Sequence, residues 1–330
     1  MNDIFSPEQL FRLRAGLDGA LWHSHRGVGR SRTWDGRSNK PREELFVAAL
    51  VLDGLQDLQL SWELLMREFG LQLSLTGVFC HATPQAEYRF MGRIASPELA
   101  DLLIVRRHVN IDQSVRQVAV LIQAKMSDDG EIKLIDRDKQ LYLYENWPEF
   151  EVRAANHSGL PYSVGVNRHQ CKYAAILKNS PRPGDNFGSA GFCPWSVKTA
   201  SKNGFCSVSL SDFILALLQF KAGRQFFEIS HSGCDWTRLV HFLLDETFRL
   251  PSQTCGKRLS DKRGNTINMN RLAFIANPTG LRSGIGPKFT DGGVFSGGGG
   301  DDNEDTRSNF AEGGFGRLLL IETVESENNE

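Results

Sequence analysis

A chain of 330 residues with 40% apolar and 23% charged residues has an ordinary globular composition and is long enough to bury a sizeable core. Its 38 basic and 39 acidic residues nearly cancel, so any preference for a charged partner rests on local rather than total charge. No apolar run approaches the roughly 20 residues that span a bilayer, and the first residues lack a basic-then-apolar secretory pattern, so a cytoplasmic protein with no membrane contact is expected.

In chain order, Pro7 to Leu21 reads as a short helix and Val28 to Lys40 as a basic, Gly- and Ser-containing loop. Between Arg12 and Arg42 the basic residues Arg12, Arg14, Arg26, Arg30, Arg32, Arg37, Lys40 and Arg42 face only Asp18 and Asp35. With Trp22, His23, His25 and Trp34 interleaved, this segment suits a phosphate backbone with stacked bases, and equally a solvated N-terminal arm. Arg42 to Leu55 is apolar on all sides and predicts a buried helix. Ser61 reads as the N-cap of a second helix, Trp62 to Phe69.

Strand pieces are expected between Leu73 and Phe90, before two strand-like segments, Pro97 to Val105 and Val118 to Lys125. The unbroken apolar runs Leu102 to Val105 and Val118 to Ile122 predict strands covered on both faces, as in an α/β layered fold. The polar stretch Asn110 to Val115 suits a hairpin connection, which would set Asp101 beside Gln123. Because strand side chains alternate, Gln123 and Lys125 project from one face while Ala124 points away. The segment Gln140-Leu141-Tyr142-Leu143-Tyr144 then places Gln140 and Tyr144 four apart on one helix face, with Trp147 extending it and Pro148 ending it.

In this order, acidic helix, Asp strand, Gln-x-Lys strand, then Gln140/Tyr144 helix, the chain resembles the PD-(D/E)XK, or restriction-endonuclease-like, nuclease superfamily. The helix segment looks like the Q-x-x-x-Y motif of its RecB-like members. The resemblance covers roughly Arg42 to Leu177 and implies an αβββαβ core. It implies that Asp101, Gln123 and the backbone carbonyl of Ala124 bind Mg²⁺ or Mn²⁺. Lys125 would orient the attacking water or offset charge on the phosphate. Glu44 or Glu43 would come from the preceding helix as a further catalytic and metal-binding acid, Glu98 is another candidate, and Gln140 and Tyr144 would position the nucleic-acid backbone. Gln123 stands where the commonest pattern has Asp or Glu, which removes a negative charge and weakens metal binding unless another acid compensates.

Beyond this core Tyr173 to Leu177 reads as a buried strand, Asn179 to Trp195 as a long Pro-, Gly- and Asn-rich loop, and Ser211 to Phe220 and Trp236 to Phe248 as helices. The expected division is a basic arm over 1–41, a nuclease core over 42–180, a mostly helical extension over 181–276, a Gly-rich linker over 277–316, and a terminal strand with an acidic tail over 317–330. The six cysteines form no C-x-x-C pair and read as reduced thiols. The function the resemblance implies is a metal-dependent nuclease, an endonuclease, acting on DNA rather than RNA. The class includes enzymes of bacterial restriction, repair and anti-phage defence, so a second copy or defence-system proteins are the partners it suggests. The alternative is a nuclease-fold protein that Gln123 has left catalytically weak or inactive and that binds nucleic acid or proteins.

Overall fold

The structure is a computed structural model that describes residues 3–30, 43–79, 84–135, 137–153, 161–178, 193–202, 206–228, 233–249, 259–260, 266–267 and 317–325. It opens with helix α1 (Pro7–Arg30), whose Leu13, Leu17, Ala20 and Leu21 are buried at helical spacing. Residues 7–30 therefore do not stand apart as a basic arm: apolar residues at this spacing commit α1 to the main core. The basic residues Arg32, Arg37, Lys40 and Arg42 of that expected arm lie outside the described residues.

Helix α2 (Glu43–Ala49) passes through one wide π turn (Leu50–Gly54) into α3 (Leu55–Glu68). This corrects the expected start at Ser61, which sits within α3 and returns its hydroxyl to the Leu58 carbonyl at 3.1 Å. Serine offers that back-bond inside a helix as readily as a cap at its start. α1 and α3 approach closely because Gly16 has no side chain: a Cβ there would lie 2.5 Å from Ser61 Oγ. The same contact buries Trp62, whose indole N–H donates to the Leu13 carbonyl at 2.7 Å.

The strands and remaining helices follow as β1 (Leu71–Phe79), β2 (Gln85–Phe90), β3 (Arg93–Ala95), β4 (Leu102–Val109), β5 (Val115–Ser127), α4 (Lys139–Asn146), β6 (Glu151–Arg153), β7 (Cys171–Leu177), β8 (Trp195–Thr199) and β9 (Val208–Ser209). Then come α5 (Leu210–Leu218), β10 (Arg224–Gln225), α6 (Asp235–Arg249), the two-residue pair β11 (Leu259–Ser260) and β12 (Thr266–Ile267), and β13 (Arg317–Glu325). The main sheet runs β1-β13-β4-β5-β7-β8-β9, with β10 added to β5. β4 and β5 are antiparallel, whereas β13 and β7 each pair in parallel with the strand beside them, β4 and β5 respectively. The protein is thus a mixed α/β fold. The region after residue 181 supplies helices α5 and α6 and also strands to the main sheet.

Both faces of the sheet are covered, which explains the unbroken apolar runs in β4 and β5. On one face Leu102, Ile104, Val120 and Ile122 pack under α1, α2, α3 and α5. On the other Leu103, Val105, Ala119 and Leu121 pack under α4, α6 and the small sheet β3-β2-β6. Among the described residues no helix is long and apolar enough to cross a membrane.

Candidate active site

The register of β4 and β5 pairs Leu102 with Ile122, so the next pair outward is Asp101 with Gln123. The Asp101 N–H closes this end of the ladder by donating to the Ile122 carbonyl at 2.9 Å. Odd-numbered residues of both strands face α4, so Asp101, Gln123 and Lys125 all fall on that face. Asp101 and Gln123 are buried, at 4% and 3% exposure, whereas Lys125 is half-buried and reaches open space.

Hydrogen bonds fix the buried pair. Asp101 Oδ2 accepts the backbone N–H of Ala124 at 2.8 Å and the side-chain amide of Gln123. Gln123 Oε1 in turn accepts from Gln140 Nε2, which also donates to the Glu98 carbonyl at 2.9 Å. One turn later on α4, the Tyr144 hydroxyl donates to the Leu99 carbonyl at 2.7 Å. Gln140 and Tyr144 thereby hold two consecutive carbonyls of the segment that leads into Asp101.

Tyr144 is buried, stacked on Trp147 at 5.9 Å between ring centres, and burial holds its hydroxyl far above the usual phenol range. Its place is behind the site, where it acts through Leu99 rather than on a bound molecule. Gln140 differs in lining the cleft.

That cleft is open and holds about 400 Å³, lined by Pro97, Glu98, Gln123, Lys125, Ile135, Arg137, Asp138, Lys139 and Gln140. Among the described residues its cations are Lys125, Arg137 and Lys139, and its acids are Glu98 and Asp138. The Asp138 carboxylate caps α4, accepting from Leu141 N at 2.8 Å, and keeps its negative charge. Arg137 and Lys139 were not singled out from the sequence, although the run Arg137-Asp138-Lys139 before Gln140 places both cations beside that helix start.

The helix acid is placed differently from the expectation. Glu44 lies in α2, and its side chain falls outside the described residues. Its neighbour Glu43 reaches β5, where Oε1 accepts from the Met126 N–H at 3.3 Å, one residue beyond Lys125. Glu98 is exposed at the cleft rim.

Whether this set suits a hard divalent cation is a matter of donors. Among the described residues no three His, Cys, Asp or Glu side chains converge as a metal-binding group. One buried carboxylate, Asp101, does meet one amide, Gln123. The amide turns its nitrogen to Asp101; reversing it would present two oxygens to a shared ion, but would set Gln123 Nε2 against Gln140 Nε2, so Gln140 must release Gln123 for an ion to be shared. The residues fit Mg²⁺ or Mn²⁺ as a singly charged oxygen pair, a weak version of such a site. The described cysteines are Cys171, Cys193, Cys206 and Cys234, all free thiols, and burial pushes the Cys171 thiol up to about 12.

No family model matches the chain, and neither a curated protein nor a solved structure does.

Proposed function

We propose that this chain is a metal-dependent nuclease of the PD-(D/E)XK class that hydrolyses phosphodiester bonds in DNA. The observation that carries the reading is the meeting of Asp101, Gln123 and Lys125 on one face of the β4–β5 pair, with Gln140 of the next helix bonded to Gln123 in a cleft that also holds Arg137 and Lys139. The element series supports it as well. The helix over residues 43–68, then β1, β4 and β5, then α4 and β7, follows the order αβββαβ, with β2 and β3 inserted in the chain between β1 and β4, β6 between α4 and β7, and β13 lying between β1 and β4 in the sheet. A role in bacterial restriction, repair or anti-phage defence, in the cytoplasm, belongs to the same reading.

In this reading Asp101 and Gln123, with the Ala124 carbonyl and an acid of α2, hold Mg²⁺ or Mn²⁺. A bound cation of this kind supplies electrostatic stabilisation of the phosphate and a more acidic water. The chain's own groups do the rest. The Lys125 ammonium offsets charge on the non-bridging oxygens as water adds to phosphorus and the bond to the leaving oxygen breaks. Arg137 and Lys139 hold the strand across the cleft. Gln140 holds the Glu98 carbonyl and Tyr144 the Leu99 carbonyl of the backbone that carries Asp101.

One observation favours a second reading, a nuclease-fold protein that binds without cutting. Asp101 Oδ2 is already satisfied by two N–H donors, and Gln123 Oε1 by a third. A site content without a cation has less to gain from one.

The test is incubation with single-stranded DNA, double-stranded DNA and RNA in Mg²⁺, Mn²⁺ or EDTA, alongside Asp101→Ala and Lys125→Ala proteins. Metal-dependent DNA cutting lost in both variants is the expected result. Folded wild-type protein that binds DNA, takes up no Mg²⁺ by calorimetry and cuts nothing would establish the second reading instead.

A further inference from the structure

We infer that the β2–β3 hairpin is a second nucleic-acid contact, a wedge that enters the minor groove of duplex DNA held in the cleft. The inference rests on the nuclease reading above and extends it to the form of the substrate.

The hairpin pairs Tyr88 with Ala95, Arg89 with Ile94 and Phe90 with Arg93, leaving Met91 and Gly92 as a two-residue turn. Both turn residues have positive φ, 50° and 77°, the geometry that twists a tight hairpin correctly. Glycine meets this requirement without strain, whereas a methionine does so only at a cost, so local chain preference does not account for Met91. Its side chain is 64% exposed and that of Ile94 is 67% exposed, and Arg89 and Arg93 are exposed beside them. Arg89 and Ile94, a cross-strand pair, share one face of the hairpin, Arg93 lies on the other and Met91 is at the turn, so the tip carries apolar and cationic groups together, complementary to a polyanion with an apolar interior. Methionine and isoleucine are among the residues that architectural proteins press between base steps, while arginines read the minor groove and its phosphates.

The hairpin is rigidly tied to the cleft. Tyr88 and Phe90 pack on Tyr142 of α4 at 5.9 and 4.9 Å between ring centres. The Tyr88 hydroxyl donates to the carbonyl of Lys139, a cleft residue. At its base, Gln85 forms a β-bridge with Glu98, also in the cleft. Along β2, about six extended residues or roughly 20 Å of strand separate the Gln85–Glu98 bridge from Met91 at the tip, the rise of about five or six base pairs of duplex.

Duplexes of about 20 base pairs carrying 2-aminopurine at successive steps, mixed with the wild-type chain in EDTA, report both binding and unstacking. The expected result is a rise in fluorescence about five or six base pairs to one side of the position cut in Mg²⁺. A Met91→Ser/Ile94→Ser protein should lose that rise and bind roughly tenfold more weakly, with its salt dependence unchanged. An Arg89→Ala/Arg93→Ala protein should lower the slope of log K against log salt by about two. Thermal unfolding shows that each variant is folded.

Wild-type protein that cuts DNA but whose affinity and fluorescence do not change in these variants overturns the wedge alone. Equal affinity for single-stranded DNA, with the same dependence on Met91 and Ile94, also overturns it. Wild-type protein that neither binds nor cuts any nucleic acid overturns the nuclease reading together with the wedge.

Discussion

Gln123 donates its side-chain amide to the carboxylate of Asp101 across the β4–β5 pair, so the two residues that would share a cation are bonded directly to each other. The amide that relieves the buried carboxylate also lowers the site's demand for a metal.

Replacing that amide with a carboxylate should reverse the balance. In Gln123→Glu two buried carboxylates face each other without the donor, a like-charge contact that costs about 1–3 kcal/mol in the absence of metal. The unfolding midpoint in EDTA is expected to fall below that of the wild type. Added Mg²⁺ should raise it more than it raises the wild type, because the second negative charge strengthens binding. Differential scanning fluorimetry with a Mg²⁺ series reads both effects.

Tyr144 is expected to matter for position rather than for contact. Tyr144→Phe keeps the ring stacked on Trp147 but leaves the buried Leu99 carbonyl without its donor, at a cost of about 1–3 kcal/mol. Urea unfolding should show this loss. If the protein cuts DNA, the turnover rate should drop while the affinity for DNA in EDTA stays near wild type, since Tyr144 lies behind the cleft.

The C-terminal strand is registered by buried charge. Arg107 pairs with Glu322 at 3.1 Å, Thr323 Oγ1 accepts from Arg106 at 2.6 Å, and His108 Nδ1 lies 2.7 Å from the same hydroxyl. Arg107→Ala strips Glu322, only 4% exposed, of its ion-pair partner, which should destabilise the protein by about 3–5 kcal/mol. Amide exchange should quicken first in β13, and Arg107→Ala/Glu322→Leu should recover much of the loss.

Acid should destabilise the fold before the carboxylates of an ordinary surface titrate. Burial lowers His25 to about 4, and burial with the nearby Arg106 lowers His108 to about 4. Both imidazoles bind protons more readily in the unfolded chain, so their contribution is complete above pH about 6.5 and is lost as pH falls towards 4. The loss is up to about 1.4 kcal/mol per pH unit for each group. Glu322, raised by burial against the pull of Arg107, works in the opposite direction and reduces the net effect. Urea midpoints measured from pH 7.5 to 4.5 should therefore fall, and fall less steeply in a His25→Leu protein.

Much of the site was legible because it depends on local periodicity. The alternation that sends Gln123 and Lys125 to one face, the polar Asn110 to Val115 connection and the four-residue spacing of Gln140 and Tyr144 are properties of short segments, and each lies where that spacing puts it. The continuity of α2 into α3 was not legible, because a serine serves both helix starts and helix interiors. The length of α1 was obscured by its basic residues, although Arg12 and Arg14 are held by Glu68 and Asp212 on other elements.

The sequence by itself determined the α/β character, the buried central strands and the pairing of Asp101 with the Gln-x-Lys segment, since apolar runs and strand alternation act within a few residues. Only the tertiary structure decided that β13 enters the sheet between β1 and β4, and that Glu43 of α2 reaches β5. It also decided that Arg137 and Lys139 share a cleft with Lys125. These relations join residues as far apart as Leu71 and Glu325 through strand pairing, packing and buried ion pairs, and no local preference encodes which distant partner a strand or a charge will meet.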